Sequence, residues 1–268
     1  MRLDTLRLDW EIGRRGYARY AAYPAATVAG LFTNTVFGFM RAYVLLALFE
    51  GRQSIGGYDA SATLTYTWLT QALIMTIYIW GWQDLALRIR SGDIAGDLVR
   101  PVHPLRAALA FDLGRALYHA LFRGLPPLLI GALAFRLVAP AGIVELVAFL
   151  TSVVLAVVVS YAFRVIYNVA AFWTTDHRGP LLLGAIAANI FSGFIIPVAF
   201  FPDWLAAIAH ATPFPSMVQL PIDIFVGRAA GLDILGVLAT QAVWAIALLF
   251  IAARLFDLGV RRLVVQGG

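Results

Sequence analysis

The chain has 268 residues, of which 61% are hydrophobic and only 13% are charged, roughly half the charged share of a soluble domain. All 20 of its basic residues are arginine, and it contains no cysteine. The absence of lysine excludes the phosphate-binding loop GxxxxGK(S/T). The absence of cysteine excludes disulfides and thiolate metal sites.

The first 22 residues mix arginine with apolar and aromatic side chains, and no apolar core of a signal peptide follows directly. Arg14, Arg15 and Arg19 alternate with Trp10 and Tyr17. This composition predicts an amphipathic helix at the membrane surface, with arginine toward lipid phosphates and aromatic rings at headgroup level. The alternative is a solvated basic tail.

Six apolar blocks follow, each of about 20 residues or more, the length that crosses roughly 30 Å of hydrocarbon as a helix. They cover residues 23–49, 64–82, 105–137, 143–173, 181–200 and 234–251. Residues 202–231 are apolar but contain four prolines, which predicts short re-entrant or interfacial helices before the last span. The predicted fold is an all-α membrane protein of one domain, comprising an interfacial helix 1–22, a six-span bundle 23–256 and a tail 257–268.

The distribution of arginine predicts the orientation of these spans. With the N-terminus inside, the inner segments contain thirteen arginines, whereas the outer loops contain only Arg52, Arg136 and Arg228. Positively charged residues concentrate in short loops on the cytoplasmic side. Both termini are therefore predicted to be cytoplasmic, and the net charge of +5 needs no nucleic-acid partner.

The cytoplasmic loop 84–104 carries apolar residues that a solvated loop would not need. Leu85 and Ile89, and then Ile94 and Leu98, are each four residues apart, as on one face of a helix, and Pro101 begins a turn. Either this loop is an amphipathic helix that rests on the membrane, or it is a docking helix for a soluble partner.

Charged side chains in the third block are functional candidates because they are expensive inside a membrane. Asp112, Arg115, His119 and Arg123 step by three, four and four residues, so they share one helix face. One interpretation is a basic wall at the inner mouth of a pathway that recruits an anionic or amphipathic cargo. The other is internal pairing of Asp112 with Arg115 or with another helix.

Polar residues in the fourth and fifth blocks are further pathway candidates. Ser160, Arg164 and Asn168 step by four, and Asn189 shares a helix face with Ser192. Arg164 lies about ten residues, roughly 15 Å, from the cytoplasmic end. An unpaired arginine at that depth is costly, so it should face protein or water rather than lipid.

The sequence offers no arrangement of residues for catalysis. Ser192-Gly193 lacks the preceding glycine of a nucleophile elbow, and the four histidines do not form an H-x-x-x-H or H-E-x-x-H pattern. The carboxylates form no paired cluster within the predicted spans. We therefore expect neither an enzyme nor a metal site.

Three segments carry a family resemblance. The loop after the second block reads RSGDIAGDLVRPVHP over residues 90–104, with Gly114 beyond it; Tyr58–Tyr66 and the external stretch from Phe201 to Gly227 accompany it. Together with six spans, they resemble the permease subunits of type-2 ATP-binding-cassette (ABC) exporters, in which a charged residue, a glycine, a leucine and a proline-containing turn precede the third span. The long external domain of some members is absent.

The resemblance implies a membrane-spanning subunit that forms half of an export pathway and couples to a separate ATPase through the loop 84–104, the coupling helix. The docking residues would then be Leu85, Ile89, Arg90, Gly92, Asp93, Ile94, Asp97, Leu98 and Pro101. The pathway residues would be Arg115, His119, Arg123, Ser160, Arg164, Asn168, Asn189 and Ser192.

The resemblance also implies partners and a location. Two ATPase subunits would bind ATP and Mg²⁺, so this chain would hold no cofactor itself. A second permease chain would complete the pathway, and the resembled branch favours a heterodimer over a homodimer. The expected location is the bacterial plasma membrane, surrounded by lipid. The rival interpretation is an ATP-independent secondary transporter or channel, which inverted repeats and acidic residues at mid-membrane would favour; neither is found.

Overall fold

The apolar blocks fold into helices in the computed structural model, which describes residues 2–79, 81–174 and 178–263. Apart from an isolated bridge between Ile55 and Tyr58, this part of the chain contains only helices, turns and irregular segments. The α-helices are α1 (Arg2–Ala21), α2 (Pro24–Ala47), α3 (Ala60–Leu73), α4 (Asp84–Ser91), α5 (Ile94–Leu98), α6 (Pro104–His119), α7 (Leu125–Ala134), α8 (Ile143–Val169), α9 (Arg178–Phe191), α10 (Asp203–His210), α11 (Gln219–Phe225) and α12 (Leu232–Val260).

Four helical stretches of the described chain are long and apolar enough to cross a membrane. They are Pro24–Ala47, Pro104–Ala134, Ile143–Phe172 and Leu232–Val260, and they coincide with the first, third, fourth and sixth predicted spans. The second predicted span is helical from α3 through a π-helical turn, Ile74–Tyr78, but its threonines lower its hydropathy. The prediction of an all-α membrane protein is confirmed, and that of six spans stays a prediction.

The fifth apolar block forms a shorter helix than the sequence predicts. α9 ends at Phe191, nine residues before the predicted end, because Gly193 adopts a left-handed conformation with φ of 83°, which terminates α-helices. The irregular backbone that follows keeps its hydrogen bonds. Arg41 of α2 donates to the carbonyl oxygens of Phe194 and Ile195 at 2.5 and 2.7 Å.

α8 is the central helix of the bundle. It packs along α12 and also contacts α4, α6, α9 and α11. Small and β-branched residues allow this close contact on several sides, and Ala156, Val159 and Ala162 are fully buried. One apolar cluster surrounds α8 near α3 and α11, and a second lies where α8 meets α4 and α12.

α1 forms the helix predicted for the N-terminal segment, and it packs along α6. Three glycines bring the two backbones together: a Cβ atom on Gly114 would lie 1.8 Å from the carbonyl oxygen of Gly13, and Gly16 approaches Phe111 similarly. Asp9 accepts hydrogen bonds from Arg106 at one end of this contact. α1 is therefore held by a neighbouring helix, whatever its position relative to lipid.

Candidate functional site

The loop 84–104 forms two short helices rather than one. α4 ends at Ser91 and is capped by Gly92, whose φ of 82° is left-handed. α5 follows after a turn in which Ser91 donates a hydrogen bond to Asp93 at 2.6 Å. Glycine adopts this conformation at little cost, so Gly92 bends the loop. Asp97 of α5 pairs with Arg88 of α4 across the bend.

The apolar residues of this loop are covered by its own chain. Leu85 is 7% exposed, Ile89 6% and Ile94 1%. They belong to the cluster that includes Val165 of α8 and Phe256 of α12. These predicted docking residues therefore attach the loop to the bundle, because side chains buried this deeply present little surface to a second protein.

The opposite side of the loop is exposed. Leu87 is 47% exposed, Leu98 36% and Val99 85%. Contiguous exposed apolar side chains rimmed by charged ones mark sites of contact with another protein or with a membrane. The residues of this exposed loop surface are Leu87, Arg88, Arg90, Leu98, Val99 and Arg100.

Asn168 of α8 caps α4 from outside that helix. Its Oδ1 accepts a hydrogen bond from the backbone N–H of Ala86 at 3.0 Å, one of the first N–H groups of α4 that have no partner within the helix. Gln83, at the capping position of α4 itself, makes no such bond. The Nδ2 of Asn168 donates to the carbonyl oxygen of Trp82 at 2.9 Å. The start of the loop 84–104 is thereby fixed to α8.

A buried ion cluster lies next to this cap and joins α6 to α8. Asp112 accepts from Arg115 at 2.7 Å and from Arg164 at 2.6 Å. The three residues are 6%, 2% and 0% exposed. One carboxylate thus faces two guanidinium groups, and a buried cluster of this kind holds its charges only if the remaining N–H groups find acceptors.

The π-helical turn supplies those acceptors. Arg115 donates to the carbonyl oxygens of Met75 and Thr76, within the turn that ends at Tyr78. A π-turn changes the hydrogen-bond register and often marks a functional site, and here it leaves carbonyl groups for the guanidinium. The Tyr78 ring faces both arginines, with its centroid 4.7 Å from the Arg115 guanidinium carbon and 5.2 Å from that of Arg164.

Tyr78 has an unusual backbone conformation. Its φ is 61°, the only positive value among the described residues other than glycine, and the left-handed region is unfavourable for a bulky side chain. Its carbonyl oxygen accepts a hydrogen bond from Ser160 at 3.3 Å. Strain of this kind persists only where the surroundings impose it. The contacts of the ion cluster and the backbone conformation of the segment between α3 and α4 therefore depend on each other.

The structure brings together some of the predicted pathway residues and separates others. Ser160, Arg164 and Asn168 of α8 join Arg115 and Asp112 inside the subunit, which is the internal pairing that the sequence left open. Asn189 bonds to its own helix at Ala185, and Ser192 accepts from the Phe194 N–H, both away from this cluster. A pathway role for these residues stays a prediction.

A second polar network was not anticipated from the sequence. Gln219 of α11 donates to Tyr58 at 2.8 Å and accepts from Tyr66 at 2.9 Å, and Tyr58 donates to Asp223. Burial raises the pKa of the Asp223 carboxyl despite its partners, which include Arg228 at 3.2 Å. The network holds α11 against α3. The sequence does not indicate it, because the contacts of Tyr58 and Tyr66 with Gln219 and Asp223 join residues more than 150 positions apart.

The chain matches the family described as ABC-2 family transporter protein over residues 33–267, a range that includes the loop 84–104, its cap and the ion cluster. No curated protein matches it. Membrane proteins of this family normally lack an ATPase domain and function with separate ABC ATPase subunits. The resemblance predicted from the sequence is confirmed, and the chain belongs to the ABC-2 family of multi-pass membrane transporter proteins.

Proposed function

We propose that this chain is the permease subunit of an ATP-driven exporter and forms half of the translocation pathway. Family membership supports a transporter role, and the absence of lysine leaves no phosphate-binding loop in the chain. Energy would therefore come from two separate ATPase subunits, which bind ATP and Mg²⁺. A second permease chain, different in sequence, would complete the pathway.

The attachment of the loop 84–104 to the bundle carries this proposal, and we refer to this segment as the coupling loop. We assign ATPase docking to the exposed loop surface, with Leu98 and Val99 as apolar contacts and Arg90 and Arg100 at their edge. The buried residues Leu85, Ile89 and Ile94 serve a different purpose: they attach α4 and the start of α5 to the bundle. A loop that rested on lipid would not need this attachment.

The cap and the ion cluster would transmit a movement of the loop 84–104, driven by the ATPase, to the rest of the bundle. A displacement of α4 would act on α8 through the two hydrogen bonds of Asn168. The ion pair of Arg164 with Asp112 would pass it to α6, and Arg115 to the π-turn after α3. Charged hydrogen bonds are shorter and stronger than neutral ones, so these helices would move as one unit.

The proposal is tested by isolating the tagged chain from its native membrane. We expect an ABC ATPase subunit to co-purify, and Leu98→Asp combined with Val99→Asp to abolish its recovery, because two charges enter an apolar contact. Leu6→Asp with Leu8→Asp is the matched control, since both positions are exposed on α1. An isolated chain that carries out ion-driven flux without an ATPase would contradict the exporter role.

A further inference from the structure

A histidine and an arginine one helical turn apart have polar atoms without partners. His119 is 3% exposed, and neither ring nitrogen forms a hydrogen bond. The Nε of Arg123 is also buried and unpaired. Among the residues that the structure describes, no carboxylate pairs with Arg123. Buried polar groups normally have partners, so these atoms indicate a ligand that the chain itself does not provide.

These residues lie where three helices meet. The Arg123 guanidinium lies against α2 at Gly30, where a Cβ atom would be only 2.0 Å from its Nη2, so glycine provides the space that the side chain occupies. Tyr20 of α1 packs against His119, with 4.8 Å between ring centroids. Tyr118 joins α6 to α2 through a hydrogen bond with Thr27 at 2.8 Å.

The surface beside this site is apolar and exposed. Gly30 is six residues from Pro24, the first residue of α2, which corresponds to about 9 Å along the helix. An unpaired guanidinium at that depth is costly in hydrocarbon, whereas a phosphate group of a lipid lies within the reach of an arginine side chain. The exposed apolar residues close to Gly30 or to Arg123 in the sequence are Val28, Phe32, Leu121 and Phe122.

We propose that His119 and Arg123 form a binding site for the phosphate headgroup of an amphiphile whose acyl chains lie along the exposed apolar surfaces of α2 and of the turn after α6. Arg123 supplies the positive charge, and His119 supplies a hydrogen bond from its ring N–H. Arginine suits phosphate because its planar guanidinium can donate two parallel hydrogen bonds. This proposal rests on the membrane location of the family and not on the exporter role.

The test uses the full chain with its co-purifying partners in nanodiscs. The discs contain diglucosyl diacylglycerol, which has no phosphate, and phosphatidylglycerol with the same acyl chains. Lipids that remain bound are counted by native mass spectrometry. We expect wild-type protein to retain phosphatidylglycerol selectively, and Arg123→Gln to lower retention about tenfold, as expected for loss of a hydrogen bond to a charged group.

Three further variants separate a phosphate site from a general loss of folding. Arg123→Lys keeps the charge but loses the two parallel hydrogen bonds, so its retention should lie between those of the wild type and Arg123→Gln. His119→Phe removes the N–H and should reduce it. Arg136→Gln, at an exposed arginine outside the site, should have no effect. Equal retention of the two lipids by wild-type protein would overturn the proposal without any variant.

The same measurement distinguishes a resident lipid from a cargo. Retention that is unchanged when ATP and Mg²⁺ are added to the complex identifies a resident membrane lipid. Retention that falls during ATP hydrolysis, with phosphatidylglycerol as the probe, identifies a phosphate-bearing amphiphile as cargo. Both outcomes support the binding site. If the ATPase is absent from the preparation, the exporter role fails while the lipid selectivity remains measurable.

Discussion

At the scale of single residues, Asp112 is the residue on which the buried ion cluster depends. It is the sole carboxylate in its cluster among the described residues, and it neutralises part of the charge of both Arg115 and Arg164. Each arginine has other acceptors or an aromatic ring, whereas Asp112 depends on the arginines. Its removal would leave two guanidinium groups buried without a counter-charge.

Asp112→Asn should therefore destabilise the protein strongly. Removing one partner of a buried ion pair typically costs about 3–5 kcal/mol, and thermal unfolding in detergent should show a large fall in the midpoint. Asp9→Asn is the control, because it removes an ion pair with Arg106 that is partly exposed and worth at most ~1 kcal/mol. Similar midpoints for the two variants would show that the cluster does not hold α6 to α8.

Residue spacing predicted part of this cluster. The three-residue step from Asp112 to Arg115 predicted that they share a face, and the depth of Arg164 predicted that it faces protein or water. The sequence could not show that α6 and α8 bring these faces together, because that depends on packing between helices distant in the chain. The positive φ of Tyr78 was also beyond prediction, since the surroundings impose it on an ordinary residue.

At the scale of elements, α4 is attached to α8 by its apolar face and by its N-terminal cap. Its apolar face packs on α8 and α12, and its first turn is capped by Asn168. The four-residue spacing within the pairs Leu85–Ile89 and Ile94–Leu98 predicted an apolar helix face, but it did not predict that the loop divides into two helices at Gly92. The spacing did not reveal what covers that face, because a partner protein, lipid and the same chain would all select apolar residues.

The cap predicts a measurable local effect. Asn168→Leu should remove the acceptor for the Ala86 N–H and speed hydrogen exchange in α4 about fivefold, since a cap is worth about 1 kcal/mol. Asn168→Asp retains an oxygen in that position and should preserve protection. Asn189→Leu is the matched control, because that side chain donates to the Ala185 carbonyl oxygen within α9 and lies away from α4. Unchanged exchange in Asn168→Leu would show that α8 does not fix the start of α4.

At the scale of the whole molecule, the fifth apolar segment decides the topology. α9 has 14 residues, about 21 Å at 1.5 Å per residue, which is shorter than the hydrocarbon core of roughly 30 Å. Irregular backbone can complete a membrane crossing where other groups of the protein form hydrogen bonds with its N–H and carbonyl groups. The carbonyl oxygens of Gly193, Phe194 and Ile195 are satisfied by Tyr66 and Arg41, so the structure provides what such a crossing needs.

We therefore predict that residues 178–201 cross the membrane and that the bundle has six spans with both termini inside. The chain has no cysteine, so single cysteines report position without background. Asp203→Cys and Arg52→Cys should react with an impermeant maleimide from outside intact cells, whereas Gly179→Cys and Arg90→Cys should react only after permeabilisation. All four positions are exposed. Labelling of Gly179→Cys and Asp203→Cys from the same side would mean that α9 does not span, because the two positions flank this segment. The number of spans would then be odd, and one terminus would lie outside.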